Sequence, residues 1–140
     1  MIYTYNIATQ TLASGDAATF AVNGAQTGCT ATHIPGSTTI SLNRPGYYYI
    51  TAVAEVTSAT AGTDVELGLY GNGELIQGTN TIATIAAADA VAIIPINTIV
   101  RVAPNCCSAP DNVPFAITVV NTSANNETIS NITLTITKVG

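Results

Sequence analysis

Two neighbouring stretches of this 140-residue chain decide its fold. Residues 41–56 read Ser-Leu-Asn-Arg-Pro-Gly-Tyr-Tyr-Tyr-Ile-Thr-Ala-Val-Ala-Glu-Val, and residues 64–79 read Asp-Val-Glu-Leu-Gly-Leu-Tyr-Gly-Asn-Gly-Glu-Leu-Ile-Gln-Gly-Thr. In the first stretch, a Pro-Gly turn precedes a long run of aromatic and β-branched residues, which is typical of a strand. In the second, Asn72-Gly73 is the dipeptide that best fits a two-residue type I′ hairpin turn, because both central positions need positive φ. Together they predict an all-β protein.

The strand of the first stretch has two apolar faces. One face carries Tyr48, Ile50, Ala52, Ala54 and Val56, and the other carries Tyr47, Tyr49, Thr51, Val53 and Glu55. Strands that are exposed to water on one side normally alternate between apolar and polar residues. The second apolar face therefore predicts burial against another sheet or another subunit.

The remainder of the chain also has the pattern of short strands. The final segment, Asn131–Lys138, alternates strictly and places Ile132, Leu134 and Ile136 on one face. Further strand candidates are Ile2–Ile7, Thr19–Val22, Cys29–Ile34, Thr38–Leu42, Glu74–Thr81, Ala83–Ala86, Val91–Val102 and Phe115–Val119. No stretch has a helical period with caps. We predict a single-domain antiparallel β-sandwich of about eight to ten strands.

The composition is poor in charge. Charged residues make up 8% of the chain, against about 25% in ordinary globular domains. A monomer with so few charges associates readily, so the composition favours an obligate oligomer. The cations are Arg44, Arg101 and Lys138, within a net charge of −5. Three scattered cations do not form a basic surface, which argues against nucleic acid and against an anionic membrane as partners.

Few residues offer chemistry. His33 is the one histidine, which argues against a histidine-pair metal site within one chain. Asp64 and Glu66 lie two apart on a strand, where they are either calcium ligands or, more simply, solvated carboxylates. No Gly-x-Ser-x-Gly turn is present for a serine nucleophile. We therefore predict a protein that is not an enzyme and that needs no cofactor.

Three cysteines, Cys29, Cys106 and Cys107, form an odd set with two adjacent members. One interpretation is that they are ordinary thiols in a reducing compartment. The alternative is that Cys106 and Cys107 from several subunits meet at a symmetry axis, where an intersubunit disulfide would form if the geometry permits.

The sequence Arg44-Pro-Gly-Tyr-Tyr-Tyr-Ile-Thr-Ala52 resembles the tumour necrosis factor/complement-head jelly-roll superfamily, in which a Gly-x-Tyr-x-Ile/Phe strand recurs. The resemblance continues through residues 65–79 and the last strand. It is strongest to the bacterial and phage branch, including the C-terminal domains of spore-surface collagen-like glycoproteins of bacilli. It covers the chain from about Ala18 onwards.

The resemblance implies a jelly roll that forms a homotrimer through apolar faces. Accordingly, we expect the trimer interface at Tyr47, Tyr49, Thr51 and Val53. Residues 18–140 correspond to the jelly-roll domain. Residues 1–17 form an extended segment that is either an attachment element, with Ile2, Tyr3, Tyr5 and Ile7 as its contacts, or simply the first strand of the sandwich.

The functional expectation follows from this resemblance by analogy of fold. No collagen-like Gly-x-y stalk precedes the domain, which favours a virion component over a spore protein. The leading hypothesis is a bacteriophage-like capsid decoration or head-fibre protein that binds itself and a capsid or other virion protein. The alternative is a bacterial spore- or cell-surface adhesion module. A third is a carbohydrate-binding jelly roll, for which Tyr47, Tyr49 and Tyr70 form a poor platform without tryptophan.

Overall fold

The computed structural model describes residues 1–104 and 113–140, and these residues contain strands and connections but no helix. The strands are β1 (Ile2–Asn6), β2 (Gln10–Leu12), β3 (Val22–Gln26), β4 (Ala31–His33), β5 (Ile40–Leu42), β6 (Gly46–Thr57), β7 (Asp64–Gly71), β8 (Glu74–Leu75), β9 (Thr81–Thr84), β10 (Val91–Val102), β11 (Phe115–Asn121) and β12 (Glu127–Lys138). No helix in this part is available to span a membrane.

The strands form two antiparallel sheets. Sheet 1 has the order β10-β6-β12-β1-β3, and β2 also pairs with β12. Sheet 2 has the order β4-β5-β11-β7-β8, and β9 also pairs with β7. Successive strands often lie in different sheets, so the chain repeatedly crosses between them. This is the single-domain β-sandwich of jelly-roll type that the sequence predicts.

The core lies between the two sheets. As the alternation predicts, Tyr48, Ile50 and Val56 of β6 face inward and are fully buried, and so are Ile132, Leu134 and Ile136 of β12. From sheet 2 they meet Val65, Leu67, Leu69, Ile117 and Val119. Burying one such aliphatic side chain contributes about 1.5–3 kcal/mol, so this layer is the main source of stability.

The strand count differs from the expectation of eight to ten, since the described residues alone contain twelve strands. The prediction misses β2, a three-residue strand that pairs with β12. It also joins Glu74–Thr81 into one strand, whereas this segment is the two-residue β8 followed by a turn. Strand β3 begins at Val22, where the predicted Thr19–Val22 ends. Such short strands depend on a partner and carry little signal of their own.

Asn72 and Gly73 form the turn between β7 and β8. Their φ angles are 50° and 83°, the left-handed values of a type I′ turn. The flanking pairs are Gly71–Glu74 and Tyr70–Leu75, so the loop has two residues. Asn72 also holds the turn against β11, because its N–H donates to Ala116 O and its Oδ1 accepts from Ala116 N–H, both at 2.8 Å.

Strand β1 lies inside sheet 1. It pairs along its whole length with β12 and on its other side with β3. Ile2 and Thr4 face the core and are fully buried, whereas Tyr3 and Tyr5 face outward. Ile2 is therefore a core residue in this structure, and Ile7, just after the strand, is 75% exposed.

Candidate functional site

The outward surface of sheet 1 is the most unusual surface of the protein. We call it the uncharged face, and it comprises Ile93, Pro95, Asn97 and Ile99 of β10, Tyr49, Thr51 and Val53 of β6, Thr133, Thr135 and Thr137 of β12, and Tyr3 and Tyr5 of β1. It continues at one end into Tyr47. Because these twelve side chains include no ionisable group other than tyrosine phenols, the face offers nothing for charge-based recognition.

Large apolar side chains on the uncharged face are exposed to solvent. Tyr49 and Val53 are 44% and 37% exposed, and Ile93 and Ile99 are 56% and 61% exposed. Single exposed apolar residues are common on soluble proteins, but a contiguous patch usually marks an interaction surface. These four lie on two adjacent strands and therefore form one patch.

The register of the strands makes this patch continuous. Tyr49 lies between Ile99 of β10 and Thr137 of β12, and Val53 lies between Pro95 and Thr133. Strand β10 runs through Pro95 without a break in pairing. Proline is tolerated there because β10 is an edge strand, so its missing N–H is not needed by another strand.

The aromatic half of the face lies on β1. Tyr3 and Tyr5 stack obliquely, with ring centroids 5.6 Å apart. Gly24 of β3 makes room for them: a Cβ atom at this position would lie 2.7 Å from Tyr3 Cδ1 and 3.1 Å from Tyr5 Cε1. A side chain at position 24 would therefore clash with the present positions of the Tyr3 and Tyr5 rings.

Among the described residues, the charged groups next to this face lie at its two ends. Arg101 lies at the end of β10 with its guanidinium 6.0 Å from the Tyr47 ring centroid, a cation–π distance. Glu55 lies towards the other end, opposite Ile93. The face is thus closed by one cation and one anion and is otherwise neutral.

The start of β6 is held in place by a hydrogen bond from Tyr48 and by close backbone packing at Gly46. Tyr48 Oη donates to Arg44 O at 2.6 Å, and burial raises the pKa of the Tyr48 phenol although this bond and the Arg44 charge lower it. Gly46 has a φ of 141°, and a Cβ there would collide with Gly140 O and the end of Lys138. The chain terminus therefore packs directly on the Pro-Gly turn.

The charged groups are segregated along the strands. Arg44, Arg101 and Lys138 all lie near the end of the sandwich where β6 begins, as the pairs Arg101–Tyr47 and Lys138–Tyr48 show. In the part of the chain that the structure describes, the charged residues at the opposite end, where β6 finishes and β7 and β12 start, are all acids: Asp16, Glu55, Asp64, Glu66, Asp89 and Glu127. Glu74, in the β7–β8 hairpin, is the described acid outside this group.

His33 is an internal anchor of the β4–β5 region. It is 7% exposed, its Nδ1 lies 2.6 Å from Asn23 Oδ1, and its Nε2 lies 3.0 Å from Ser37 O. The Phe20 ring packs edge-on against it. Both ring nitrogens are therefore engaged within the chain. The pocket beside His33 is lined by Thr32, Ile34, Ser37, Thr39 and Ser41.

Asp64 and Glu66, the candidate calcium ligands on β7, each accept a hydrogen bond from a neighbouring side chain. Asp64 Oδ1 accepts from Thr84 Oγ1 and Glu66 Oε1 accepts from Asn80 Nδ2, both at 2.7 Å. Within the described residues no group of three or more His, Cys, Asp or Glu side chains is suited to a metal ion. Cys29 is an exposed free thiol, and Cys106 and Cys107 lie outside the described residues.

Several solved structures have a similar fold. Eiger, a tumour necrosis factor from S. frugiperda, superimposes with a TM-score of 0.70 at 10% identity, covering 99% of this chain and 92% of its own. Murine APRIL superimposes with a TM-score of 0.67 at 10% identity, covering 99% of this chain and 98% of its own. The globular domain of zebrafish complement C1qA superimposes with a TM-score of 0.60 at 7% identity, covering 99% of this chain and 97% of its own.

The fold is the tumour necrosis factor/C1q jelly roll. At these identities, the superpositions show the fold alone, and the superfamily resemblance read from residues 44–52 and 65–79 agrees with it. No protein-family model matches the sequence, and no curated protein matches it either.

Only part of the uncharged face is predictable from the sequence. The expected interface residues Tyr47, Tyr49, Thr51 and Val53 do share one outward surface. The contribution of β10 was missed because both of its alternating sets are apolar, so the pattern does not show which set faces outward. Pairing with β6 is what turns Ile93, Pro95 and Ile99 onto the same surface.

Proposed function

We propose that the protein is a non-enzymatic structural protein whose uncharged face binds further copies of the same chain in a homotrimer. The observation that carries this proposal is the contiguous exposed apolar patch of Tyr49, Val53, Ile93 and Ile99. Interfaces between permanent subunits are apolar at their centre and poor in charge. A second copy satisfies both requirements, because it brings an equally uncharged surface and leaves no ion to be desolvated.

A trimer requires two different patches on each subunit, because rotation by a third of a turn joins unlike surfaces. The uncharged face offers two: the aliphatic patch on β10 and β6, and the aromatic pair Tyr3–Tyr5 on β1. The threonines of β12 lie between them. The face therefore has the asymmetry that a closed ring needs, and the trimer is also what the superfamily resemblance of the sequence implies.

The assembly is tested by light scattering after size-exclusion chromatography at micromolar concentration. We expect the wild type to elute as a trimer and Val53→Asp to elute as a monomer with unchanged strand content by circular dichroism. The physical reason is that an unpaired charge in a dry contact costs several kcal/mol.

Ile34→Asp is the matched control, since Ile34 is 77% exposed but lies after β4 in sheet 2. This variant should remain a trimer. A wild type that is monodisperse and monomeric contradicts the proposal, and so does a Val53→Asp variant that is still trimeric.

We further propose that this trimer decorates a bacteriophage-like particle, as a capsid decoration or head-fibre protein located on the virion. Support comes from the resemblance of the sequence to the phage and bacterial branch, and from the uncharged face, which fits a structural role. Purified trimer should co-sediment with particles that lack it. A trimer that binds no particle, encoded beside spore-coat genes, would favour the spore-surface alternative.

A further inference from the structure

Glu127, the first residue of β12, is a carboxyl group in an unusual place. It has no solvent exposure. Its Oε1 accepts a hydrogen bond from the Glu66 N–H, at the point where β11 has ended and no longer pairs with β7. Its Oε2 is buried without any hydrogen-bond partner. Buried polar atoms are nearly always paired, so an orphaned carboxyl oxygen needs an explanation.

The surroundings of Glu127 join three parts of the chain. We call this region the buried corner: residues 12–16, Glu66, residues 121–123 and Glu127. Asn121 Nδ2 donates to Leu12 O at 3.0 Å, and the Asn121 N–H donates to Asp16 O at 2.9 Å. Ser14 Oγ donates to Ser123 O at 2.6 Å. Glu127 itself lies opposite Leu12 in the β2–β12 ladder.

Among residues 1–104 and 113–140, no cation lies near the buried corner to compensate a negative charge there. The charged groups on the neighbouring elements are Glu66 and Asp64 on β7, Asp16 after β2 and Glu55 on β6, and all are acids. Arg44, Arg101 and Lys138 lie at the opposite end of the sandwich. An ionised Glu127 would therefore be desolvated, without a cationic partner and under repulsion from the Glu66 carboxylate.

We propose that Glu127 is a proton-operated lock on the N-terminal segment. With its proton, the carboxyl group is neutral, Oε2 is no longer a buried charge, and residues 10–16 stay docked on β12 and on the turn at residues 121–123. Loss of the proton places an uncompensated anion in the corner and favours local opening of β2, the three-residue strand that pairs with β12.

The direction of the pH dependence follows from the environment. Burial raises the pKa of Glu127 and the Glu66 carboxylate raises it further, while the hydrogen bond from the Glu66 N–H and the nearby Ser123 hydroxyl lower it. The Ser123 hydroxyl itself donates to Asn121 Oδ1 at 2.7 Å, so Oε2 gains no partner from it. Because folding raises the pKa of this carboxyl group, its full contribution to stability is present below the pKa of the unfolded state, 4.5. The contribution is lost as the pH rises through the higher pKa of the folded state. Above that pH the loss is complete.

Urea unfolding of wild type, Glu127→Gln and Glu74→Gln between pH 4.5 and pH 8.5 tests the lock. The wild-type folding equilibrium constant should fall with rising pH relative to Glu127→Gln, about tenfold for each pH unit by which the folded pKa exceeds the unfolded one. Glu74→Gln, at an exposed glutamate near the opposite end, should keep the wild-type profile. Parallel profiles of wild type and Glu127→Gln would overturn the proposal.

Two further measurements on the intact wild type keep the proposal testable if Glu127→Gln does not fold. Carbon-13 NMR of the glutamate carboxyl groups should show one that titrates well above the others, and ordinary titration of all glutamates would overturn the proposal. Hydrogen exchange, corrected for intrinsic rates, should increase in residues 10–17 above that transition while β6 remains protected. An equal increase of hydrogen exchange in residues 10–17 and in β6 would contradict a local lock.

Discussion

Replacing Gly73 with valine tests the hairpin that connects β7 and β8 in isolation from packing. Gly73 has a φ of 83°, a value that β-branched residues rarely adopt. A Cβ added at this position would meet no atom within 4 Å. The cost of Gly73→Val is therefore backbone strain alone, which is about 1–3 kcal/mol.

The turn has little freedom to escape this strain. Asn72 is bonded to Ala116 through both its N–H and its Oδ1, and the Gly71–Glu74 pair closes the loop. For a 140-residue chain, an unfolding entropy of about 2.1 cal/mol/K per residue converts the strain into a fall of Tm by roughly 3–10 °C. The assay is a circular dichroism melt of wild type and variant at equal protein concentration.

Gly73→Asn is the matched control, because asparagine adopts the left-handed region more easily than other residues. The Tm of Gly73→Asn should fall clearly less than the Tm of Gly73→Val. If Gly73→Val melts within a degree of the wild type, or if both variants lose the same amount, the loss does not come from positive φ and the assignment of a type I′ turn fails.

Deleting residues 1–12 should abolish the cooperative melt, because β1 lies between β12 and β3 and cannot be removed without splitting sheet 1. A truncated protein that stays a folded trimer but no longer co-sediments with its particle would instead support attachment through Tyr3, Tyr5 and Ile7. Tyr48→Phe should lower the free energy of unfolding by about 1 kcal/mol, because it removes the bond from Tyr48 Oη to Arg44 O. Urea unfolding checks this, and an unchanged midpoint would show that this bond contributes nothing.

The fold was predictable because its signals are local. The strict alternation of Ile132, Leu134 and Ile136 predicts a strand with one buried face, and all three are buried. Asn72-Gly73 carries its turn preference in the dipeptide itself, independently of the rest of the chain.

Part of the candidate site was predictable and part was not. Tyr49 and Val53 are recognisable because an apolar face opposite Tyr48 and Ile50 is unusual on one strand. Ile93 and Ile99 are not recognisable, because β10 is apolar on both sides and only its register with β6 decides which side faces outward. A shift of the register by one residue would turn every side chain of β10 to the other face.

The amino-acid sequence by itself therefore determined the class of fold, the inward-facing residues of the long strands and the scarcity of charge. The tertiary structure decided the features that join residues distant along the chain: the insertion of β1 between β12 and β3, the burial of Glu127 beside Glu66, and the collection of all three cations at one end of the sandwich. Alternation and turn preference act between near neighbours. Contacts between residues sixty or more positions apart, such as the hydrogen bond from the Glu66 N–H to the Glu127 carboxyl group, are set by the packing of the whole sandwich and leave no periodic trace in the sequence.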